Sequence, residues 1–211
     1  MIKYLATMLP SYLKIRLFRI LGAKIGKNCY IGLSIVNAKD LEIGDNVYIG
    51  HCCLLWRLRR LSLGSGSRLE FGNWVTGAGI GEFLLGRNSA VQRFHFFEAS
   101  SDITVGSNSI IAGRNSTFFS HGISPDDLDV RRSVNIGDWC YVGSNCHFVP
   151  GAKLANHTFV GMGCVVTKAF TESYTLLTGC PATVKKALEP NAAYFNRPYL
   201  PHAHHHPDYV G

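Results

Sequence analysis

The sequence predicts an all-β solenoid, a parallel β-coil with three sides to each turn, preceded by a short helix and followed by an irregular tail. Three observations carry this expectation. Aliphatic residues recur every six positions, a small residue stands four places after most of them, and the 211 residues include 22 glycines against 8 prolines. Glycine in excess without matching proline points to many tight corners rather than to a collagen-like or linker sequence.

The period can be followed along the chain. Ile25-Gly26 leads to Ile31-Gly32, Ile43-Gly44 to Ile49-Gly50, Leu63-Gly64 to Leu69-Glu70, Leu85-Gly86 to Val91-Gln92, and Val105-Gly106 to Ile111-Ala112. The longest run is Ile136, Val142, Phe148, Leu154, Val160 and Val166. Neither a heptad nor a 3.6-residue helix fits a step of six. The second slot holds Cys29, Val47, Cys53, Ser67, Ser89, Ser109, Cys140, Cys146, Thr158 and Cys164. Six residues supply one short strand and one corner, so three such sides close a turn and stack their aliphatics along the interior. The repeat spans 25–168 with interruptions, such as 54–61, and the predicted coil domain extends over 25–188.

The flanks read differently. Residues 1–24 form the predicted N-terminal amphipathic helix: from Ser11 on, Tyr12, Leu13, Ile15, Leu17, Phe18 and Ile20 cover one broad side, with Lys14, Arg16 and Arg19 among them. Capping the core is one use of such a helix, and peripheral contact with a membrane surface is the other. Nothing matches a signal peptide or the roughly 20 apolar residues of a spanning helix. The tail, 189–211, breaks the period and carries Tyr194, Phe195, Tyr199 and the His-rich 202–206; packing on a neighbouring subunit or mobility is expected of it.

Charge and cysteine usage narrow the classes. The net charge of +7 favours anionic partners, but Lys and Arg are scattered and no finger or helix-turn-helix motif occurs, so nucleic acid is not expected. Five of the 7 cysteines fall in the small slot of the repeat, and none forms a Cys-x-x-Cys pair. They read as packing residues in a reducing, cytoplasmic setting.

The chemistry-bearing stretch runs over 111–186. Phe119-Ser120-His121-Gly122-Ile123-Ser124-Pro125 opens a polar insert that ends at Arg131-Arg132, with an exposed loop expected at 122–133. Beyond it come Val160-Gly161-Met162-Gly163-Cys164-Val165-Val166-Thr167-Lys168 and Thr178-Gly179-Cys180-Pro181-Ala182. Together with the period, this order resembles the hexapeptide-repeat acyltransferases of the maltose, galactoside, nodulation-factor and polysaccharide O-acetyltransferase type. The resemblance implies a left-handed parallel β-helix, against the usual right-handed crossover. It implies an acetyl-CoA-dependent transfer of an acetyl or short acyl group to a sugar hydroxyl of a saccharide or glycolipid. It also implies a homotrimer with the acyl site between neighbours.

Residue by residue, the resemblance makes His121 the catalytic base. A sugar hydroxyl is a poor nucleophile, and a histidine, with an ordinary pKa of about 6.5, is substantially neutral near pH 7. A backbone N–H near Gly143 or Ser144 would face the thioester oxyanion. Ser144 and Met162 match positions along the pantetheine, Thr167 and Lys168 the nucleotide end, and Lys186 a basic residue near the phosphates, with Lys185 beside it. Acceptor contacts fall on Gln92, where relatives carry Asn, and on Glu98. His95 is either a second acceptor-cleft group or a core histidine. No metal is expected: a zinc hydrase on the same repeat would need a His-x4-His pair, which this sequence lacks, and His121, His147 and His157 do not replace it. A non-catalytic scaffold is the alternative, and His121 with its insert argues against it.

Overall fold

The computed structural model describes residues 6–198. A 3-10 turn, Ala6–Met8, leads into an α-helix, Ser11–Ile20, which closes the open end of the first coil. Ile15 and Phe18 face the core as an amphipathic helix should. Lys14 is buried with them, its Nζ donating to the carbonyls of Thr7 and Gly32. Burial lowers its pKa to about 8.

The rest is a parallel β-helix, left-handed as the resemblance implied. Eight parallel strands make what we call the third face: Tyr30–Ile31, Tyr48–Ile49, Arg68–Leu69, Ala90–Val91, Ile110–Ile111, Tyr141–Val142, Thr158–Val160 and Thr175–Thr178. Each opens one coil, numbered one to eight, and in the first seven the chain then crosses the first and second faces. On the first face Trp74–Thr76, Phe96–Glu98, Thr117–Phe119 and His147–Phe148 pair in succession. On the second, Glu82–Leu85, Ile103–Val105, Val134–Ile136 and Lys153–Leu154 do the same. The stretch that interrupts the period around 54–61 is one long strand, Leu54–Leu63, paired with another, Ile35–Ile43. Each bends across both faces without a loop, so the first two coils lack a proper corner there.

The aliphatics fill the interior, and in the middle coils phenylalanine replaces them. Phe97, Phe118 and Phe148 stack at 4.4 and 4.6 Å between centroids. The glycine after each aliphatic is needed because coils nearly touch at the corners: a Cβ at Gly86 would lie 2.4 Å from the backbone N of Ser107. Between the second and third faces the turn residue is left-handed in almost every coil. Asn28, Asn46, Asn88 and Asn108 hold it first, then Trp139, His157 and Tyr174, with φ between 52° and 60°.

The small slot has a reason beyond size. Ser89 Oγ donates to the carbonyl of Gly106 at 2.6 Å and accepts the N–H of Ser109 at 3.0 Å. Ser109 Oγ repeats the pattern with Gly137 and Cys140, and Cys140 continues it through Sγ to Ala155 at 3.2 Å. These side chains bolt one coil to the next, and all seven cysteines are free thiols.

The last third-face strand, Thr175–Thr178, takes an antiparallel partner, Thr183–Ala187. The tail that follows turns back onto its own coil. Tyr194 Oη donates to the Cys140 carbonyl at 2.7 Å, and the Arg197 guanidinium sits 4.9 Å over the Trp139 ring. The expectation of a tail on a neighbour or mobile is therefore corrected as far as residue 198, because third-face aromatics Tyr141 and Phe159 give Tyr194 a surface within its own chain. Tyr199 and the His-rich 202–206 lie outside the described residues.

Candidate active site

Coils one to four, six and seven pass from the first face to the second along the prism surface. In coil five the chain leaves the prism. The insert expected as a loop is a hairpin of two antiparallel strands, His121–Ser124 and Asp127–Arg131, in which His121 pairs with Arg131. Ser120, fully buried, anchors its base: Oγ donates to the Glu98 carbonyl at 2.8 Å, the backbone N of Ser101 donates to Oγ at 2.8 Å, and the N–H of Arg132 returns to the Ser120 carbonyl. A hydroxyl at this position ties the hairpin's base to the coil below, so His121 leaves the prism from a fixed point.

The His121 side chain is 37% exposed, and its Nε2 lies 3.2 Å from Asp129 Oδ1 across the hairpin. Arg131 Nε donates to the same oxygen at 2.7 Å. That hydrogen bond holds the Asp129 carboxyl below the usual carboxylate range. Asp129 thus remains an anion against one ring nitrogen and leaves Nδ1 as the nitrogen free to accept a proton. Neither Asp129 nor Arg131 was singled out in the sequence. The signal was present as the alternating Asp127, Asp129, Arg131 of a strand, but only hairpin pairing puts them opposite His121.

Glu98 stands at the same corner, one coil below. Ser100 Oγ donates to its Oε1, while Oε2 is buried with no hydrogen bond among the described residues. Its charge adds to that of Asp129 in raising the Arg131 pKa. Thr167 and Lys168 are exposed at this corner two coils above His121, and the Lys168 ammonium lies 5.6 Å over the Phe170 ring. Gly151, in the coil between, donates its N–H to the Arg132 carbonyl.

The other predicted residues lie elsewhere. Gln92, Ser144 and Met162 occupy the corner between the third and first faces, where the strands they follow stack as Val91, Ile111, Val142 and Val160. Met162 is 77% exposed, and a Cβ at neighbouring Gly163 would meet no atom within 4 Å, so a shallow open step runs past Ser144 and Met162. Lys185 and Lys186 are exposed on the final antiparallel strand. Within one chain, therefore, Glu98, His121, Thr167 and Lys168 share one corner, and Gln92, Ser144 and Met162 share another.

The acceptor-cleft reading of His95 is corrected. His95 is 1% exposed, its Nδ1 accepts the N–H of Ser116 at 3.1 Å, and its backbone N–H bonds Asn73 Oδ1 at 2.9 Å. Burial lowers its pKa to about 4, so it is a neutral imidazole packed inside a corner. His147 lies on the first face, bonded to Thr117 Oγ1 at 2.7 Å, and His157 stacks on Tyr174 at 4.3 Å. These two histidines and His121 sit on different parts of the prism.

Comparison with known proteins places this geometry. No family model matches the chain. The bifunctional protein GlmU of Acinetobacter baumannii is 23% identical over 176 residues, covering 71% of this chain and 37% of the relative. The chain thus spans little more than a third of that relative's length. Among solved structures, a maltose O-acetyltransferase from Clostridium difficile aligns over 89% of this chain and 82% of its own, with TM-score 0.52 and 16% identity. The polySia-specific acetyltransferase NeuO aligns over 78% and 82%, with TM-score 0.52 and 15% identity. A hexapeptide-repeat acetyltransferase of Vibrio cholerae, complexed with acetyl coenzyme A, aligns over 89% and 84%, with TM-score 0.51 and 15% identity. The chain is built on the left-handed β-helix that these hexapeptide-repeat acetyltransferases share.

Proposed function

We propose that the protein is an O-acetyltransferase that moves an acetyl or short acyl group from acyl-CoA to a sugar hydroxyl of a saccharide or glycolipid. The observation that carries this is the anchored hairpin: it holds His121, with an anionic partner on one nitrogen, at the one corner where the coil is broken open. In the reaction, Nδ1 of His121 takes the acceptor hydroxyl's proton as its oxygen attacks the thioester carbonyl carbon. The C–S bond breaks as the ester C–O bond completes, and the departing thiolate receives the proton that His121 holds. Asp129 steadies the charged imidazolium between these transfers. The Gly143 N–H donates to the Val160 carbonyl at 2.9 Å, which leaves the backbone N–H of Ser144 as the one suited to the developing oxyanion.

The donor's site draws on both corners. The open step at Ser144 and Met162 suits the pantetheine arm, while Thr167 and Lys168 with Lys185 and Lys186 suit the nucleotide and its phosphates. Because these groups divide between two corners of one prism, a complete site calls for a second copy, in keeping with a homotrimer. Glu98 and Gln92 are the proposed acceptor contacts. The same reading has the protein working in the cytoplasm, where slot thiols stay reduced, and allows peripheral contact with a membrane. No described helix is long and apolar enough to cross one.

The test is a screen of saccharide acceptors with acetyl-CoA, read by thiol release, alongside light scattering. Acceptor-dependent release by a trimer is the expected result. Failure to bind CoA or any saccharide would favour a non-catalytic scaffold, and a strict monomer at micromolar concentration would defeat the shared site.

A further inference from the structure

The positive charge of this protein is concentrated at one end. The first 39 residues hold seven Lys and Arg and no acidic residue, while the remaining 172 carry 14 of each sign. The net charge of +7 therefore equals that of residues 1–39, and six of those seven cations, all but Lys3, lie in the described end cap and the entry to the first coil. On that cap the apolar side chains are not all turned inward. Met8 is 80% exposed, Tyr12 64% and Ile20 81%, and Leu13 and Leu21 are exposed beside them. Tyr12, Arg16 and Ile20 fall four apart on the helix, so they form one outward stripe, opposite the buried Lys14, Ile15 and Phe18. The cap is fixed to the coil by the Ile31 N–H to Ser11 Oγ bond at 2.9 Å and by Arg19, whose guanidinium binds the carbonyls of Ile25 and Gly26.

From these observations we infer that the N-terminal end of the prism docks on an anionic lipid bilayer, with Met8, Tyr12 and Ile20 entering the headgroup region and the exposed Arg16, Lys27 and Lys39 facing lipid phosphates. The inference gives the peripheral membrane contact allowed above a surface and a lipid class, and it does not depend on the acyl transfer itself. A rigid cap with long apolar tips and like charges around them suits a bilayer, where burial of apolar tips and attraction to the anionic surface add together. A symmetric contact with the same end of a second copy would bring two cationic surfaces face to face. Nucleic acid would use the cations but gives exposed Met8 and Ile20 no apolar partner. Three cap cations are already committed to protein, Lys14 and Arg19 to carbonyls and Lys24 to Glu42 at 2.9 Å, and none of the three belongs to the Tyr12, Arg16, Ile20 stripe.

The experiment is vesicle flotation of the full chain with phosphatidylcholine alone and with about one third phosphatidylglycerol, at low and high salt. Binding to the anionic vesicles at least tenfold above the neutral ones, weakened by salt, is the expected result. Ile20→Glu, on the outward stripe, and Met8→Glu, on the exposed turn before the helix, should each lower that binding by tenfold or more, with melting temperature and oligomeric mass unchanged. Absence of binding, or binding that these substitutions leave intact, overturns the inference. So does a change of oligomeric mass in the variants, or preferential binding of duplex DNA over vesicles. Acyl transfer to a soluble saccharide, measured on the same variants, separates a failure of docking from a failure of the proposed activity.

Discussion

Two corners of this prism carry a histidine in consecutive coils, and they use it in opposite ways. At the corner between the first and second faces the chain breaks out into a hairpin, and His121 is left part-exposed with Asp129 on one nitrogen. At the corner between the third and first faces the coil stays closed, and His95 is folded inside it against Ser116 and Asn73. The difference is not in the residue but in whether the backbone has somewhere else to go. Four residues separate Val91 from Phe96 at the closed corner in coil four, while fourteen separate Phe119 from Val134 at the open corner in coil five. The longer path frees a side chain from the interior while Ser120 keeps its root fixed.

The largest effect expected from breaking this contrast is at the open corner. His121→Ala should lower turnover by about 10²–10⁴-fold, the range of general-base catalysis, with melting temperature and CoA binding nearly unchanged. Steady-state kinetics beside thermal denaturation check both halves, and full turnover by a folded variant removes the proposed mechanism.

The closed corner should show its effect in stability. The folded His95 has its pKa lowered to about 4, whereas an unfolded histidine titrates near 6.5, so between these values the unfolded chain binds more protons. Stability is therefore full above about pH 6.5 and falls as pH drops toward 4, by about 3 kcal/mol in all. Denaturant melts across that range should show the slope, and His95→Gln should flatten it, whatever its own stability. His121→Ala should leave that slope in place.

Smaller effects sharpen the comparison through the donor. Lys168→Ala and Lys186→Ala should raise the apparent CoA KM about tenfold with little change in kcat, because the phosphates lie far from the bond that breaks. A fall in kcat at constant KM would instead place these lysines near the chemistry.

The period of six, the small slot and the break at 122–133 were all legible in the sequence, because each follows from a single local requirement repeated or suspended. What was not legible depends on neighbours in other coils. That Ser89, Ser109 and Cys140 bond coil to coil requires knowing which carbonyl lies above each. The long strands Ile35–Ile43 and Leu54–Leu63 lose the period because each runs on through the would-be corner, where its inward–outward alternation slips, with Arg57 at φ 54° taking up the extra residue of the second. The insert marked out His121, but the sequence left His95 open between cleft and core, since burial is decided by loop length and stacking rather than by the flanking residues. Trp139, His157 and Tyr174, left-handed without being Gly or Asn, give no signal of their own. Their rings are met by the returning tail, His157 and Tyr174 edge-on by Phe195 at 5.2 and 5.3 Å and Trp139 by the Arg197 guanidinium.

The stacked coil is also a ruler. Neighbouring coils are held about 4.8 Å apart by their backbone pairing, so Lys168, two coils above His121, is displaced about 10 Å along the axis from it. Distance in such a molecule is counted in whole turns, and it cannot be adjusted by a fraction of one. A lineage that needed a longer or shorter reach between base and phosphate site would have to gain or lose a complete circuit of the chain, while tuning by single substitutions is left to the hairpin, which the lattice of coils does not constrain.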